Sequence, residues 1–201
     1  MKFFKWFARF FVKNPRTRTR THHALLKPKP KPKPKPKPKP VKSVNSRSTT
    51  GTKHRNPLNV KAFKRGKPSA DYWDFQTGVD TRGHAIFENP VYGIRAAIVL
   101  LRTYNIKYGL NSIAGILSRW APSSDTIGSL PGAPPNSPIA YSRFVADNIH
   151  RDPNKDLMLF KGREVNSPDE LFLVMAQMAR YENYSAYELS RDDFDEALTL
   201  V

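Results

Sequence analysis

One acid, Glu182, stands beside Tyr181 and close to Tyr184 and Tyr187, at the end of a run with one apolar face. A carboxylate at a helix C-terminus meets the negative pole of the helix dipole. Aromatic neighbours also remove water from it. Both effects favour the protonated form and predict a raised pKa, which a general acid needs. The alternative reading of the same pattern is a solvated last-turn glutamate above packed tyrosines.

The element that must hold this acid is Ser167–Tyr187. Ser167 suits an N-cap, Pro168 the first helical position and Glu170 the far side of a capping box. Leu171, Val174, Met175, Met178 and Ala179 then recur at three- and four-residue steps, so they share one face. Other segments carry the same period. Asn89-Pro90 opens a helix with Val91, Ile94, Ile98, Leu101, Tyr104 and Tyr108 on one side and Gly109 as its stop. Ser112–Trp120 is a second helix, ended by Pro122. A Ser/Gly/Pro loop follows to Asn136, and Ser137-Pro138 starts a third helix with Tyr141, Phe144, Val145 and Ile149. Asp192–Leu200 reads as a short terminal helix, and His84–Glu88 as a strand or extended segment. Strand signals are few, so residues 56–201 are expected to form one mainly α domain, long enough at about 145 residues for its own core.

Charge divides the chain in two. Of its 34 Lys and Arg, 22 precede Pro68, where no acid occurs; the remainder holds 12 cations and all 17 acids, a net of −5. A basic arm is therefore joined to a mildly acidic domain. There is no cysteine, which excludes disulfides and thiolate catalysis. No apolar run reaches the length of a membrane-spanning helix.

Within the arm, residues 1–14 place Lys2, Lys5, Arg9 and Lys13 on one helical face and Phe3, Trp6, Phe7, Phe10 and Phe11 on the other. This pattern suits a basic amphipathic helix lying in a membrane interface, or docking on a protein partner. Lys5 and Arg9 interrupt the apolar stretch that a cleaved secretory signal needs. Residues 15–55 read as a basic linker. Adjacent His22 and His23 have no acid near them and read as solvated. Seven Lys-Pro dipeptides run from Lys27 to Pro40. Each proline removes a donor and extends its predecessor, giving a polyproline rod on the order of 40 Å long. Val41–Arg55 reads as a flexible Ser/Thr/Lys segment. Such an arm also suits salt-sensitive, sequence-blind attachment to nucleic acid or anionic lipid.

Several pieces occur in a recognisable order. They are Asn56-Pro57-Leu58-Asn59-Val60, Phe87, Gly93-Ile94-Arg95-Ala96, Leu101-Arg102-Thr103-Tyr104, Gly109-Leu110-Asn111-Ser112-Ile113, Ile116-Leu117-Ser118-Arg119-Trp120-Ala121-Pro122, Tyr141 to Val145, and Glu182-Asn183. This order resembles the virion-associated lytic proteins of cystovirus type and their prophage relatives, which look like distant relatives of lytic transglycosylases. The resemblance covers about residues 55–187, and the Ser-Arg-Trp-Ala-Pro block is its most specific part.

The resemblance implies a lysozyme-like domain in circularly permuted order, with Asn56–Val60 following in space from the Glu182 helix. It implies an enzyme that cleaves peptidoglycan between N-acetylmuramic acid and N-acetylglucosamine, carried by a virion and acting in the host periplasm during entry or lysis. Glu182 would be its catalytic acid, with Asn183, Trp120, Tyr141, Tyr181 and Arg119 at the substrate. No cofactor or metal is implied. The family's Gly-Leu-Met-Gln segment is absent, and Tyr184 stands where the phage relatives commonly have glycine. Trp120 and Tyr141 would stack on sugar rings or belong to the core. Arg119 would meet a stem-peptide carboxylate or a domain acid. A hydrolase would need a second carboxylate, for which Glu88, Asp74 and Asp125 are candidates. The alternative function is a structural virion protein that binds genome or membrane through its arm. A third reading, a peptidase acting on stem peptides, has little support, because the chain has neither a cysteine nor a clustered His–acid site.

Overall fold

In a computed structural model of the chain, the described residues are 49–62, 73–126 and 131–201. The expected anchor helix of residues 1–14 and the Lys-Pro rod lie outside them. The described residues hold six helices and two small antiparallel hairpins, so the domain is mainly helical.

The long helix, α2 here, spans Pro90–Tyr108, and its ends follow from local chemistry. Asn89 Oδ1 accepts the Val91 amide at 3.0 Å, Pro90 needs no donor there, and Gly109 closes the helix at φ 65°. Val91, Ile94, Ile98, Leu101 and Tyr104 are buried as their spacing predicts, but Tyr108, at the helix's last turn, is 41 % exposed. Gly93 is buried for a different reason. A Cβ there would lie 2.6 Å from the Arg55 carbonyl oxygen, so α2 crosses that backbone only because residue 93 lacks a side chain.

The remaining helices enclose this core. They are α1 (Thr50–His54), α3 (Ile113–Trp120), α4 (Pro138–Ile149), α5 (Pro168–Glu182) and α6 (Arg191–Leu198). α2 packs on α6, while α3 and α5 both pack on α4. Arg95 ties separate parts of the chain to α2: Nε donates to the Leu200 carbonyl at 2.9 Å, and the guanidinium meets Asp74 at 2.7 Å. Ser112 and Ser137 cap α3 and α4 through the Gly115 and Ala140 amides.

Two expectations need correction. The linker was expected to reach Arg55, yet Thr49 caps a folded α1 whose Gly51 is buried against Asn183. Ser167 precedes α5 but makes no side-chain cap. Its hydroxyl goes to the Met158 carbonyl, and Glu170 turns to a two-pronged ion pair with Arg151 at 2.8 and 3.0 Å, so no capping box forms. The strand reading of His84–Glu88 holds: β2 (Ala85–Phe87) pairs with β1 (Gln76–Val79) through a turn that Asp80 fastens. Asp80 Oδ1 accepts the amides of Arg82 and His84, both at 2.8 Å. A second hairpin, β3 (Phe160–Lys161) with β4 (Glu164–Val165), is too short for any periodicity to announce.

Candidate active site

The loop Asn56–Val60 sits where the end of α5 meets β2. Asn56 is fully buried, and every polar atom of its side chain is used. Nδ2 donates to the Val60 and Ala85 carbonyls at 2.9 and 2.8 Å, and Oδ1 accepts the Val60 amide at 2.9 Å. This clamp holds Asn59 at φ 49°, in the left-handed region. From there Asn59 Nδ2 reaches both the backbone carbonyl and Oε2 of Glu182, each at 3.2 Å.

The other carboxylate oxygen, Oε1, receives Trp120 Nε1 from α3 and the Tyr141 hydroxyl from α4, both at 3.1 Å. Glu182 ends α5, so its carboxyl group gathers one donor from each of three other elements. Tyr141 Oη also lies 3.2 Å from the Met178 carbonyl. A hydroxyl has one proton, so it serves the carboxylate when Glu182 is ionised and is free to serve Met178 otherwise.

Burial raises the Glu182 pKa and outweighs Asn59, Trp120, Tyr141 and the Lys61 charge, which all favour the ionised form. Burial, then the Glu182 charge, likewise raises Tyr141 well above the ordinary phenol value and Tyr181 to a lesser degree. Lys61 is lowered, chiefly by burial, against the pull of Asp125, Asp80 and Glu182. The result is a carboxyl group with well-placed neighbours and a pKa raised above its ordinary value by burial.

The aromatic setting differs from the one the sequence suggests. Tyr184 is 83 % exposed and withdraws no water from the acid. Tyr187 is half-buried, and burial with the Asp193 charge pushes its phenol up to about 12. The rings at Glu182 come instead from Trp120 and Tyr141, on two other helices. Tyr181 stacks on Tyr141 with centroids 3.8 Å apart and keeps its outer side partly exposed.

Two site expectations change accordingly. Tyr141 is 2 % exposed, which leaves no ring face for a sugar; it meets Glu182 through its hydroxyl. Asn183 was expected at the substrate, but it is buried with its amide engaged by the Gly51 amide and the Pro57 and Ala179 carbonyls. It secures the end of α5. Arg119 lies over the Tyr108 ring at 3.6 Å and remains exposed. Asn59 was not singled out for a site, although its motif was visible. Its left-handed conformation, which brings it to Glu182, leaves no period in the sequence.

The candidate second carboxylates are dispersed. Asp74 is taken by Arg95, and Glu88 is exposed with its carbonyl held by Arg55 at 2.8 Å. Asp125 alone of the three shares the field of Lys61 with Glu182. A separate cavity of about 240 Å³, lined by Arg151, Lys155, Asp156, Leu157, Ser167 and Glu170, opens at the other end of α5. A helix of this length puts it roughly 20 Å from the acid.

No protein-family model matches the chain. The chain is 40 % identical over 108 residues to Protein P5 of Pseudoalteromonas phage PM2, a match covering 53 % of this chain and 59 % of that protein. The chain thus spans less than two thirds of the length of that relative, and its similarity is to a bacteriophage protein.

Proposed function

We propose that the domain is a virion-carried glycosidase of lysozyme-like, circularly permuted design that cuts the glycan strand of peptidoglycan. The observation that carries this reading is the Glu182 carboxyl group, biased toward its neutral form by burial and held by Asn59, Trp120 and Tyr141. The proximity of the Asn56–Val60 loop to the end of α5 supports the permuted order, and the likeness to a phage protein supports carriage by a virion. Oε1 receives two donors and Oε2 only one, so Oε2 has more room to carry the transferable proton. Glu182 delivers it to the oxygen between N-acetylmuramic acid and N-acetylglucosamine. The carboxylate then takes the proton of the muramyl 6-hydroxyl, which closes an anhydro ring and restores the acid. One carboxylate suffices for this sequence. A hydrolytic outcome would instead require a water-activating partner, and Asp125 is the candidate whose surroundings join those of Glu182. The basic arm would hold the enzyme to membrane or capsid, with the Lys-Pro rod giving it reach.

A second reading is a non-enzymatic virion protein that binds genome or membrane; the 22 cations and no acid before Pro68 favour it. Digestion of purified sacculi separates the two. Anhydro-muropeptides from the wild-type chain, absent with Glu182→Gln, support the transglycosylase. Reducing muramyl ends keep the glycosidase and call for the second carboxylate. Absence of products from the folded wild type favours the structural reading.

A further inference from the structure

Arg119 differs from six other described arginines. Arg82, Arg95, Arg151 and Arg191 each meet an acid within 4.0 Å, and Arg55 and Arg102 donate to carbonyls. Among the described residues, Arg119 meets rings instead: its guanidinium carbon lies 3.6 Å from the Tyr108 centroid and 5.4 Å from that of Tyr104. Tyr108 is 41 % exposed, so the platform faces solvent. Stacking fixes the plane of the guanidinium and leaves its N–H edge open, the arrangement that accepts a carboxylate side-on.

The platform adjoins the site through a continuous path. Trp120 follows Arg119 on α3, packs edge-on against Tyr104 with centroids 6.5 Å apart, and donates to Glu182. A glycan strand lying across Glu182 and Trp120 would therefore bring the substituents of a neighbouring sugar toward Arg119.

We infer that Arg119, stacked on Tyr108, is a specificity site for a carboxylate of the wall polymer; this rests on the glycosidase reading above. Two sources share that chemistry. Intact sacculi present stem-peptide carboxylates, whereas amidase-stripped strands present the lactyl carboxylate of muramic acid. Sacculi whose carboxylates have been converted to amides present neither.

The test measures turnover of the full chain, wild type and Arg119→Ala, on all three substrates. The basic arm is common to both proteins and cancels in the comparison. On intact sacculi Arg119→Ala should raise KM about tenfold or more with kcat little changed, the size of one charged hydrogen-bonded contact. On amidated sacculi, where both proteins lose the arm's attraction alike, the KM difference between wild type and Arg119→Ala should disappear. Arg119→Lys should recover only part of the effect, because it keeps the charge without the fork. A defect confined to intact sacculi assigns the stem peptide, and one confined to stripped strands assigns the lactyl group. Equal KM for wild type and Arg119→Ala on every substrate overturns the inference. Co-sedimentation of Glu182→Gln, with and without Arg119→Ala, reads the same contact without turnover. At salt that releases the arm, weaker carboxylate-dependent binding of the double variant supports the inference even if the glycosidase reading fails, and equal binding overturns it.

Discussion

Asn183 Oδ1 accepts the Gly51 amide at 3.1 Å, which joins the residue after Glu182 to a helix 132 positions earlier in the chain. The same side chain donates to the Pro57 carbonyl at 2.7 Å and the Ala179 carbonyl at 2.9 Å. One buried amide therefore fastens α1, the Asn56–Val60 loop and α5 together. This joint fixes the end of α5 that carries Glu182.

That joint predicts an unusual response to a helix-favouring substitution. Replacing Gly by Ala within a helix ordinarily stabilises by about 0.5–1 kcal/mol. At Gly51 the new Cβ would lie 2.4 Å from Asn183 Oδ1 and 3.0 Å from its Cγ. The Asn183 amide must move and leave buried partners unsatisfied, at roughly 1–3 kcal/mol. Gly51→Ala should lower the melting temperature, and Asn183→Ala should do so too. The double variant should cost less than the sum, because both break one joint. An unchanged or higher melting temperature for Gly51→Ala would remove the joint from the account.

The helices were legible because each has a period and chemically plain ends. Asn89-Pro90 with Gly109 frames α2 in sequence as in space. Glu182 was legible because an acid closing an apolar-faced helix conflicts with its surroundings. What could not be read was lateral. Trp120, Tyr141 and Asn59 meet Glu182 from positions 62, 41 and 123 residues away, and no local pattern encodes such contacts. The tyrosines nearest in sequence misled for the same reason. Tyr184 follows the helix end at φ 53° and turns outward, while buried Tyr141 takes the place beside the acid.

Tyr141→Phe isolates the hydroxyl from the ring. The hydrogen bond to Oε1 favours the ionised carboxylate, so its loss should raise the Glu182 pKa further. If Glu182 must be protonated to act, the alkaline limb of the activity profile should move to higher pH in this variant. The fold should persist, because the phenyl ring can keep its stack on Tyr181. A shift of that limb toward lower pH would show that the Tyr141 bond does not hold the carboxylate in its charged form.

Glu182→Gln should be more stable than wild type at neutral pH. The Glu182 pKa is higher in the folded chain than in the unfolded one, because burial disfavours its charge. Its contribution to stability is therefore full below the unfolded value of 4.5 and is lost as pH rises through the folded value. Glutamine never bears that charge. Thermal melts should place the variant on the order of a few degrees above wild type near pH 7. The gap should close on acidification. A variant less stable than wild type at both pH values would contradict this account of the acid.

The β1–β2 turn should respond to acid in the opposite sense. His84 Nδ1 lies 3.1 Å from Asp80 Oδ2, and His54 Nδ1 lies 3.6 Å from the same oxygen. Burial and the Lys61 charge lower the His84 pKa below 6.5, although Asp80 pulls it upward. Burial acts to raise Asp80, but its bonds from His84 and Arg82 prevail and its pKa falls below 3.8. A lowered histidine binds fewer protons folded than unfolded. Its share of stability is present above 6.5 and declines as pH falls toward its folded value. Asp80 adds a loss of the same sign at lower pH. His84→Asn tests this, because an asparagine Nδ2 can replace the Nδ1–H bond to Asp80 without titrating. The variant should match wild type within about 1 kcal/mol at pH 7.5 and lose less on passing to about pH 5. Parallel stability curves for the two proteins would move the acid sensitivity elsewhere in the domain.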